Sequence, residues 1–485
     1  LTAGPRRSPL PTAGLLAGPV LFLLLLLLPA PAGLEAGAQR VLALAVWMGT
    51  WWLTAAVALE VTALLPIGVL PLLGVRSIEQ ATAPYGNSVI FLFLGGFLLA
   101  AAMERWNLHK RMAFAILALV GTDARRVVLA FMLATAFLSM WISNTAAAVL
   151  MLPMGMAVLG LARAQDDAAS AGNLGRGIAL GIAYAASIGG VATLIGTPPN
   201  AIYAAAARML HDAEVSFGEW MRTGLPIAAL MLPIVWLLLV RLLYPTRGAI
   251  GGLAERIATE RATLGPLRGA ERFTLIVFLG AALGWVLREP KNLGALHVPG
   301  LASLLPGISD AGIAITAGIL LFAVPVSRHP RVAALDWATA SRVPWGILLL
   351  FGGGLALADA FEASGLSRWV GSLLTGLAGL PTVIVIAAVA ATFVFLTDFT
   401  SNTAVAAMAM PLLSGIADGL GQPPLLLMRV AALGCSMAFL LPVSTPPNAL
   451  VFASGAVTVR EMAQAGIWVD LLSIAVITVV ALTQL

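Results

Sequence analysis

Long apolar stretches follow one another through almost the whole chain, separated by short polar connections. The first runs from Leu10 to Leu28. Others cover 41–58, 61–75, 88–103, 112–121, 127–142, 145–162, 177–196, 224–243, 273–287, 312–326, 345–358, 382–397, 404–417, 425–443 and 467–484. Only 10% of the 485 residues are charged and 60% are hydrophobic, whereas a soluble domain needs about a quarter charged to hydrate its surface. The chain therefore reads as an all-α polytopic membrane protein, with room for about ten to twelve spans of about 20 residues. Unbroken runs, rather than alternation at every second residue, argue against a porin-like barrel. The net charge of +5 is then read by position, as basic loops beside a bilayer, not as a nucleic-acid surface.

Arg6 and Arg7 precede the first run and Pro29-Ala30-Pro31-Ala32-Gly33 follows it, which is open to reading as a cleaved signal peptide. The many later spans favour a retained first span. Some stretches are too short to cross about 30 Å of hydrocarbon at 1.5 Å per residue. Two such pairs, 127–142 with 145–162 and 382–397 with 404–417, are each joined by a few polar residues. Each pair reads as two half-length helices meeting in a re-entrant hairpin, whose tip must face protein or a wet cavity. Arg247, Arg256, Arg261, Arg268 and Arg272 place the long polar loop 244–272 in the cytoplasm. Arg105, His109, Lys110 and Arg111, with Arg163 and Arg176 at the first hairpin's exit and Arg328 and Arg331 further on, fall on the same side. The second hairpin then enters from outside.

The chain also repeats itself weakly. Phe93-Leu94-Gly95-Gly96-Phe97 resembles Leu350-Phe351-Gly352-Gly353-Gly354, offset by 257. Ser143-Asn144-Thr145-Ala146 recurs as Ser401-Asn402-Thr403-Ala404, and Pro153 as Pro411, both offset by 258. Thr197-Pro198-Pro199-Asn200-Ala201 recurs as Thr445-Pro446-Pro447-Asn448-Ala449, offset by 248. The expected organisation is a first span over 1–40, repeat 1 over 41–245, a cytoplasmic linker over 246–272 and repeat 2 over 273–485. By the span count the repeats are inverted. Inverted repeats with broken helices are the signature of a secondary transporter with a midplane site.

Ser, Asn and Thr are ordinary N-caps, but two copies at hairpin tips set polar groups where they are costly. Each second arm points free N–H groups and a partial positive charge at the tip, which suits a carboxylate. Each first arm ends in carbonyls, which suit a hard cation such as sodium. Ser139 precedes Ser143, and Thr397 precedes Ser401, by one helical turn on the same face, so each hydroxyl can add an oxygen. Paired prolines break the helix and bare the carbonyls ahead of them, at Gly196 and Thr197 and at Ser444 and Thr445. No Lys or Arg lies inside these elements. An anion is thus held by neutral dipoles with cations balancing its charge, which couples the two ligands.

Asp398, beside the second tip, is an intramembrane ionisable residue. Its counterpart is Met140, so a structural or regulatory role is expected. Glu104 and Asp359 are expected to cap span ends or pair with arginines. Trp47, Trp51, Trp52, Trp106, Trp220 and Trp468 are expected at the interface. His109, His211, His297 and His329 lie apart, and the single Cys435 excludes an internal disulfide. Nothing here assembles a nucleophile–base pair, so an intramembrane enzyme is not expected. An ion channel is the remaining alternative from another class, although channels repeat their hairpins around one axis in one orientation.

The doubled Ser-Asn-Thr and Thr-Pro-Pro-Asn motifs, with Ser187-Ile188-Gly189-Gly190 and Trp106-Asn107-Leu108-His109-Lys110-Arg111, resemble the divalent anion/sodium symporter family over about residues 40 to 485. The resemblance implies about eleven spans plus two hairpins, a homodimer, an elevator motion, and sodium-coupled symport of di- or tricarboxylates or sulfate across a bacterial-type inner membrane. A dicarboxylate such as succinate, malate or fumarate is the expected substrate, and an exchanger or sulfate-type carrier of the same family is the alternative. By position, one sodium site uses Ser139, Ser143, Asn144 and the Gly196 carbonyl. The other uses Thr397, Ser401, Asn402 and the Ser444 carbonyl. Substrate carboxylates meet Asn144, Thr145, Ser401, Asn402, Thr403 and Pro446.

Overall fold

In hydrocarbon, backbone N–H and C=O groups must pair within their own segment, and the apolar runs accordingly fold as helices. The computed structural model describes residues 9–163, 168–267, 269–293, 296–328 and 331–484; Arg6, Arg7, Arg268 and His329 lie outside them. Among the described residues, 8 helices are long and apolar enough to cross a membrane, and shorter apolar helices lie between them. Among the described residues, β-structure is confined to two small antiparallel ribbons, Lys291–Leu293 with Leu296–Val298 and Pro325–Arg328 with Arg331–Ala333, and a single bridge between Asp123 and Ala249.

The repeat in the sequence reappears element by element. Ser88–Arg105 corresponds to Trp345–Ala363, Ala124–Ser139 to Thr382–Thr397, and Asn144–Arg163 to Asn402–Leu420. Ala168–Val191 followed by Pro198–His211 corresponds to Pro424–Cys435 followed by Pro446–Ala453. The first arm of each hairpin has 16 residues, as the short runs suggest. The second arms are longer than expected, 20 and 19 residues, because each helix continues past its apolar run into polar residues. Pro153 and Pro411 lie inside them.

The chain folds as two compact units. One comprises Leu1–Ile90, Ile202–Glu214 and Pro344–Cys435. In it, Pro9–Leu27 packs along Ala36–Thr54, and the second hairpin packs on Leu366–Ser372 and Pro424–Cys435. Arg76 pairs with Asp359 at 2.8 Å, which gives Asp359 the arginine partner expected of it. His211 Nε2 lies 3.0 Å from Ser414 Oγ.

The other unit comprises Phe91–Ala201, Val215–Val343 and Ser436–Leu485. Its centre is the helix Ala168–Val191, almost wholly buried over Ala171–Val191, which packs against both arms of the first hairpin. Arg176, about two turns into that helix, pairs with Glu461 at 2.5 Å. The Trp106-Asn107-Leu108-His109-Lys110-Arg111 stretch is a fixed corner. Asn107 takes the left-handed conformation (φ 57°) that its short polar side chain tolerates. Trp106 Nε1 donates to the Ala334 carbonyl at 2.6 Å, and Arg111 binds Glu271 in bidentate fashion at 2.5 and 2.9 Å. Trp220 departs from the expected interfacial role. It is 1% exposed and donates to the Val191 carbonyl at 2.8 Å, so its ring fills the core beneath the first helix break.

Candidate functional site

The first hairpin turns at residues 140–143. Ser143 Oγ accepts from the Ala146 N–H at 3.2 Å, an ordinary cap of the second arm. The Met140 carbonyl, one of the groups a helix end leaves without an intrahelical donor, accepts from Thr193 Oγ1 at 2.5 Å. Ser139 is 0% exposed, and its Oγ lies 2.6 Å from Asn144 Oδ1 and 2.7 Å from the Ala186 carbonyl oxygen. A hydroxyl has one proton, so it cannot donate to both. With its amide turned nitrogen-inward, Asn144 donates to Ser139 Oγ at 2.6 Å, the Ala186 carbonyl at 3.2 Å and the Gly196 carbonyl at 3.3 Å. With its oxygen inward, four oxygens face one another around a single hydroxyl proton.

Backbone closeness makes this cluster possible. A Cβ on Gly189 would collide with the Ala136 backbone, and one on Gly190 would sit 2.6 Å from Asn144 Oδ1 and 3.1 Å from the Gly196 carbonyl oxygen. Only glycine leaves the Ala168–Val191 helix close enough to the tip.

The loop that follows is stapled by Asn200, which is 0% exposed. Its Nδ2 donates to the carbonyls of Thr193 at 2.8 Å and Gly190 at 3.1 Å. In the second copy, Asn448 Nδ2 donates to Leu441 O at 3.0 Å and Ala438 O at 3.3 Å. Donor and acceptors are all offset by 248. Thr445 Oγ1 accepts from the Asn448 N–H at 3.3 Å, capping the helix Pro446–Ala453. That helix packs on both Asn144–Arg163 and Ala168–Val191. Ser444 is 5% exposed, and Pro446 is exposed.

The second hairpin, in the other unit, repeats the tip chemistry. Thr397 Oγ1, 0% exposed, lies 2.7 Å from Asn402 Oδ1 and 3.0 Å from the Cys435 carbonyl oxygen. Again one proton faces two acceptors. Ser401 Oγ accepts from the Ala404 N–H at 3.4 Å, another cap. Asn402 and Thr403, like Asn144 and Thr145, are half-buried.

Ser139, Asn144 and Gly196 thus meet, as do Thr397 and Asn402, while the hydroxyls of Ser143 and Ser401 cap helices. Ser444 and Pro446 belong to the same unit as the first hairpin. The sequence reading did not single out the carbonyls of Ala186 and Cys435, or the asparagines Asn200 and Asn448. A carbonyl carries no residue-type signal, but the asparagines stood in the duplicated Thr-Pro-Pro-Asn motif. Asp398 is 0% exposed and forms the C-terminal cap position of the first arm. Among the described residues no group of three or more His, Cys, Asp or Glu side chains gathers. The atoms gathered at each tip, a hydroxyl, an amide and a backbone carbonyl, offer neutral oxygens of the kind hard cations accept.

A family model described as the sodium:sulfate symporter transmembrane region matches residues 12–484. The sodium-dependent dicarboxylate transporter SdcS of Staphylococcus saprophyticus is 40% identical over 475 residues, covering 96% of this chain and 90% of that protein. SdcS of Staphylococcus aureus strain MW2 is 41% identical over 476 residues with the same coverage. Among solved structures, the Alcanivorax borkumensis YdaH transporter, described as having an unusual topology, superposes with a TM-score of 0.57 at 18% identity, over 86% of this chain and 89% of that one. Neisseria gonorrhoeae MtrF gives 0.51 at 14% identity, over 96% and 94%. These two likenesses are of fold alone.

Proposed function

This chain belongs to the sodium:sulfate symporter family, and on that premise we propose that it couples sodium to the uptake of a dicarboxylate across the bacterial cytoplasmic membrane. The substrate class, succinate, malate or fumarate, follows the SdcS relatives. The observation that carries the reading is the duplicated tip cluster, in which a buried hydroxyl meets an asparagine amide and a backbone carbonyl of another helix, Ser139 with Asn144 and Ala186, and Thr397 with Asn402 and Cys435. When the amide oxygen turns inward the cluster becomes all oxygen, and a sodium ion offsets their mutual repulsion, as at the unwound carbonyls of broken-helix carriers.

The two orientations of the Asn144 amide give the coupling a physical form. With no ion, the nitrogen is spent on Ser139, Ala186 and Gly196, and the oxygen is left to face an incoming carboxylate. With sodium bound, the oxygen turns inward as a ligand, and Nδ2 is released as a donor beside the N–H groups of the second arm. The anion then meets donors and a favourable helix end. Asn402 acts in the same way at its own tip. Thr145 and Thr403 hold the carboxylates, with Ser401 and Pro446 contributing. Ser143 contributes to the first ion and Ser401 and Ser444 to the second. The repeats lie over 41–245 and 273–485 in opposite orientation, with the linker 246–272 in the cytoplasm. The carrier works as a homodimer by an elevator motion.

Radiolabelled succinate uptake into proteoliposomes tests the coupling. Uptake is expected with an inward sodium gradient and not with potassium. Uptake that ignores sodium but requires internal dicarboxylate would instead establish an exchanger and overturn the symport reading. Cys435 is buried and is the only cysteine, so single cysteines introduced at the two hairpin entrances report their sidedness with little background.

A further inference from the structure

Away from both tips, the flank of the first hairpin holds a cavity of about 250 Å³. Phe114 and Leu117 line one side, Phe131 and Met154 the hairpin side, and Leu253 and Ile257 of the helix Leu253–Thr263 form its cover. That helix is a strap fastened at both ends. Before it, the Ala124 N–H donates to Gly248 O and the Ile250 N–H to Thr122 O, both at 2.9 Å. After it, Arg111 Nη2 donates to Leu264 O at 3.1 Å. The cavity is thus a built feature, larger than the roughly 150 Å³ that accepts a benzene molecule.

Arg256 and Glu260 stand at its mouth, paired at 2.7 Å with side chains 55% and 37% exposed. So exposed a pair is weak, and Arg256 can exchange its carboxylate for a phosphate at little cost. The helices that wall the cavity also carry Leu119, Leu133 and Val149, which are 84%, 38% and 52% exposed. In a membrane protein such faces are covered by lipid, so an apolar opening among them fills from the bilayer rather than from water.

We propose that this cavity binds one acyl chain of an anionic phospholipid, from the leaflet on the side of the 244–272 loop, with its phosphate on Arg256. The bound chain braces the strap against the outer flank of the hairpin that carries Asn144. Full-length protein is exchanged into nanodiscs of equal phosphatidylglycerol and phosphatidylcholine, returned to delipidating detergent, and its retained lipid counted by native mass spectrometry. The wild type is expected to keep one phosphatidylglycerol per chain. Ala157→Trp, which adds apolar bulk at a lining position, is expected to lower that retention about tenfold. Ala157→Leu lowers it in the same direction and serves if the tryptophan variant does not fold. Arg256→Gln is expected to keep a lipid but lose the preference for phosphatidylglycerol. No retained lipid in the wild type, unchanged retention in folded Ala157 variants, or an unchanged headgroup preference in Arg256→Gln would overturn the assignment.

Discussion

Truncating Asn200 to alanine separates loop positioning from ion ligation. The substitution removes the donor to Thr193 O at 2.8 Å and Gly190 O at 3.1 Å but touches none of the oxygens proposed to hold the ion. A buried acceptor that loses its donor costs about 1–3 kcal/mol, so two such losses come to roughly 3 kcal/mol after partial relaxation. At about 1.4 kcal/mol per tenfold, that changes the ratio of ordered to disordered loop by about a hundredfold. Sodium must then supply the ordering free energy, and its apparent affinity falls by at most that factor. The expected result is a sodium half-saturation raised about 10- to 100-fold, with maximal succinate uptake largely recovered at high sodium. The assay is a sodium titration of uptake in proteoliposomes at saturating succinate, beside a thermal melt of the purified variant. Asn448→Ala should behave alike, since its bonds repeat at the same offset. A melting temperature that drops while the sodium half-saturation stays within about twofold of wild type would refute the reasoning and leave Asn200 a purely structural staple.

Other outcomes follow from the same geometry. Asn144→Ala and Asn402→Ala should each abolish uptake while the protein still folds and dimerises, as judged by gel filtration; normal transport by either would remove the site proposed for it. Thr145→Ala and Thr403→Ala should raise the KM for succinate more than the sodium requirement. Replacing sodium by potassium should remove any thermal stabilisation by succinate, because the anion then meets bare oxygens. Asp336 lies outside the spans, and the Thr339 N–H and hydroxyl, then the nearby Arg105 guanidinium, hold its carboxyl below the usual carboxylate range. Its stabilisation is present above the unfolded-state pKa and is lost as pH falls through the lowered one. Asp336→Asn should therefore melt slightly earlier than wild type at pH 7, with the difference fading in acid.

Most of the helices were legible in the sequence, because lipid forces backbone hydrogen bonding inward, but the runs 61–75 and 425–443 are each interrupted, the first after Thr62 and the second after Cys435. The breaks were legible only from their far side: Pro198-Pro199 and Pro446-Pro447 open the following helices, whereas the preceding helices stop earlier, at Val191 and Cys435, inside the apolar runs 177–196 and 425–443. The duplication of Ser-Asn-Thr singled out Asn144 and Asn402, and one helical turn of spacing added Ser139 and Thr397. Tertiary packing decided the rest. That the Ala186 and Cys435 carbonyls complete the clusters depends on a second helix approaching each tip, and a carbonyl leaves no trace in residue type. Trp220 reads as an interfacial anchor until the fold brings the Val191 carbonyl to its indole. Ser143 and Ser401 read as ligands in the sequence, and the turn at each tip gives their hydroxyls a second task as helix caps. Sequence thus determined that the backbone is interrupted ahead of each proline pair and at each Ser-Asn-Thr tip, and which polar side chains stand there. Only the three-dimensional approach of segments more than 40 residues apart, Ser139 to Ala186, decided which oxygens meet, because short-range contact between neutral dipoles depends on distances that no local pattern encodes.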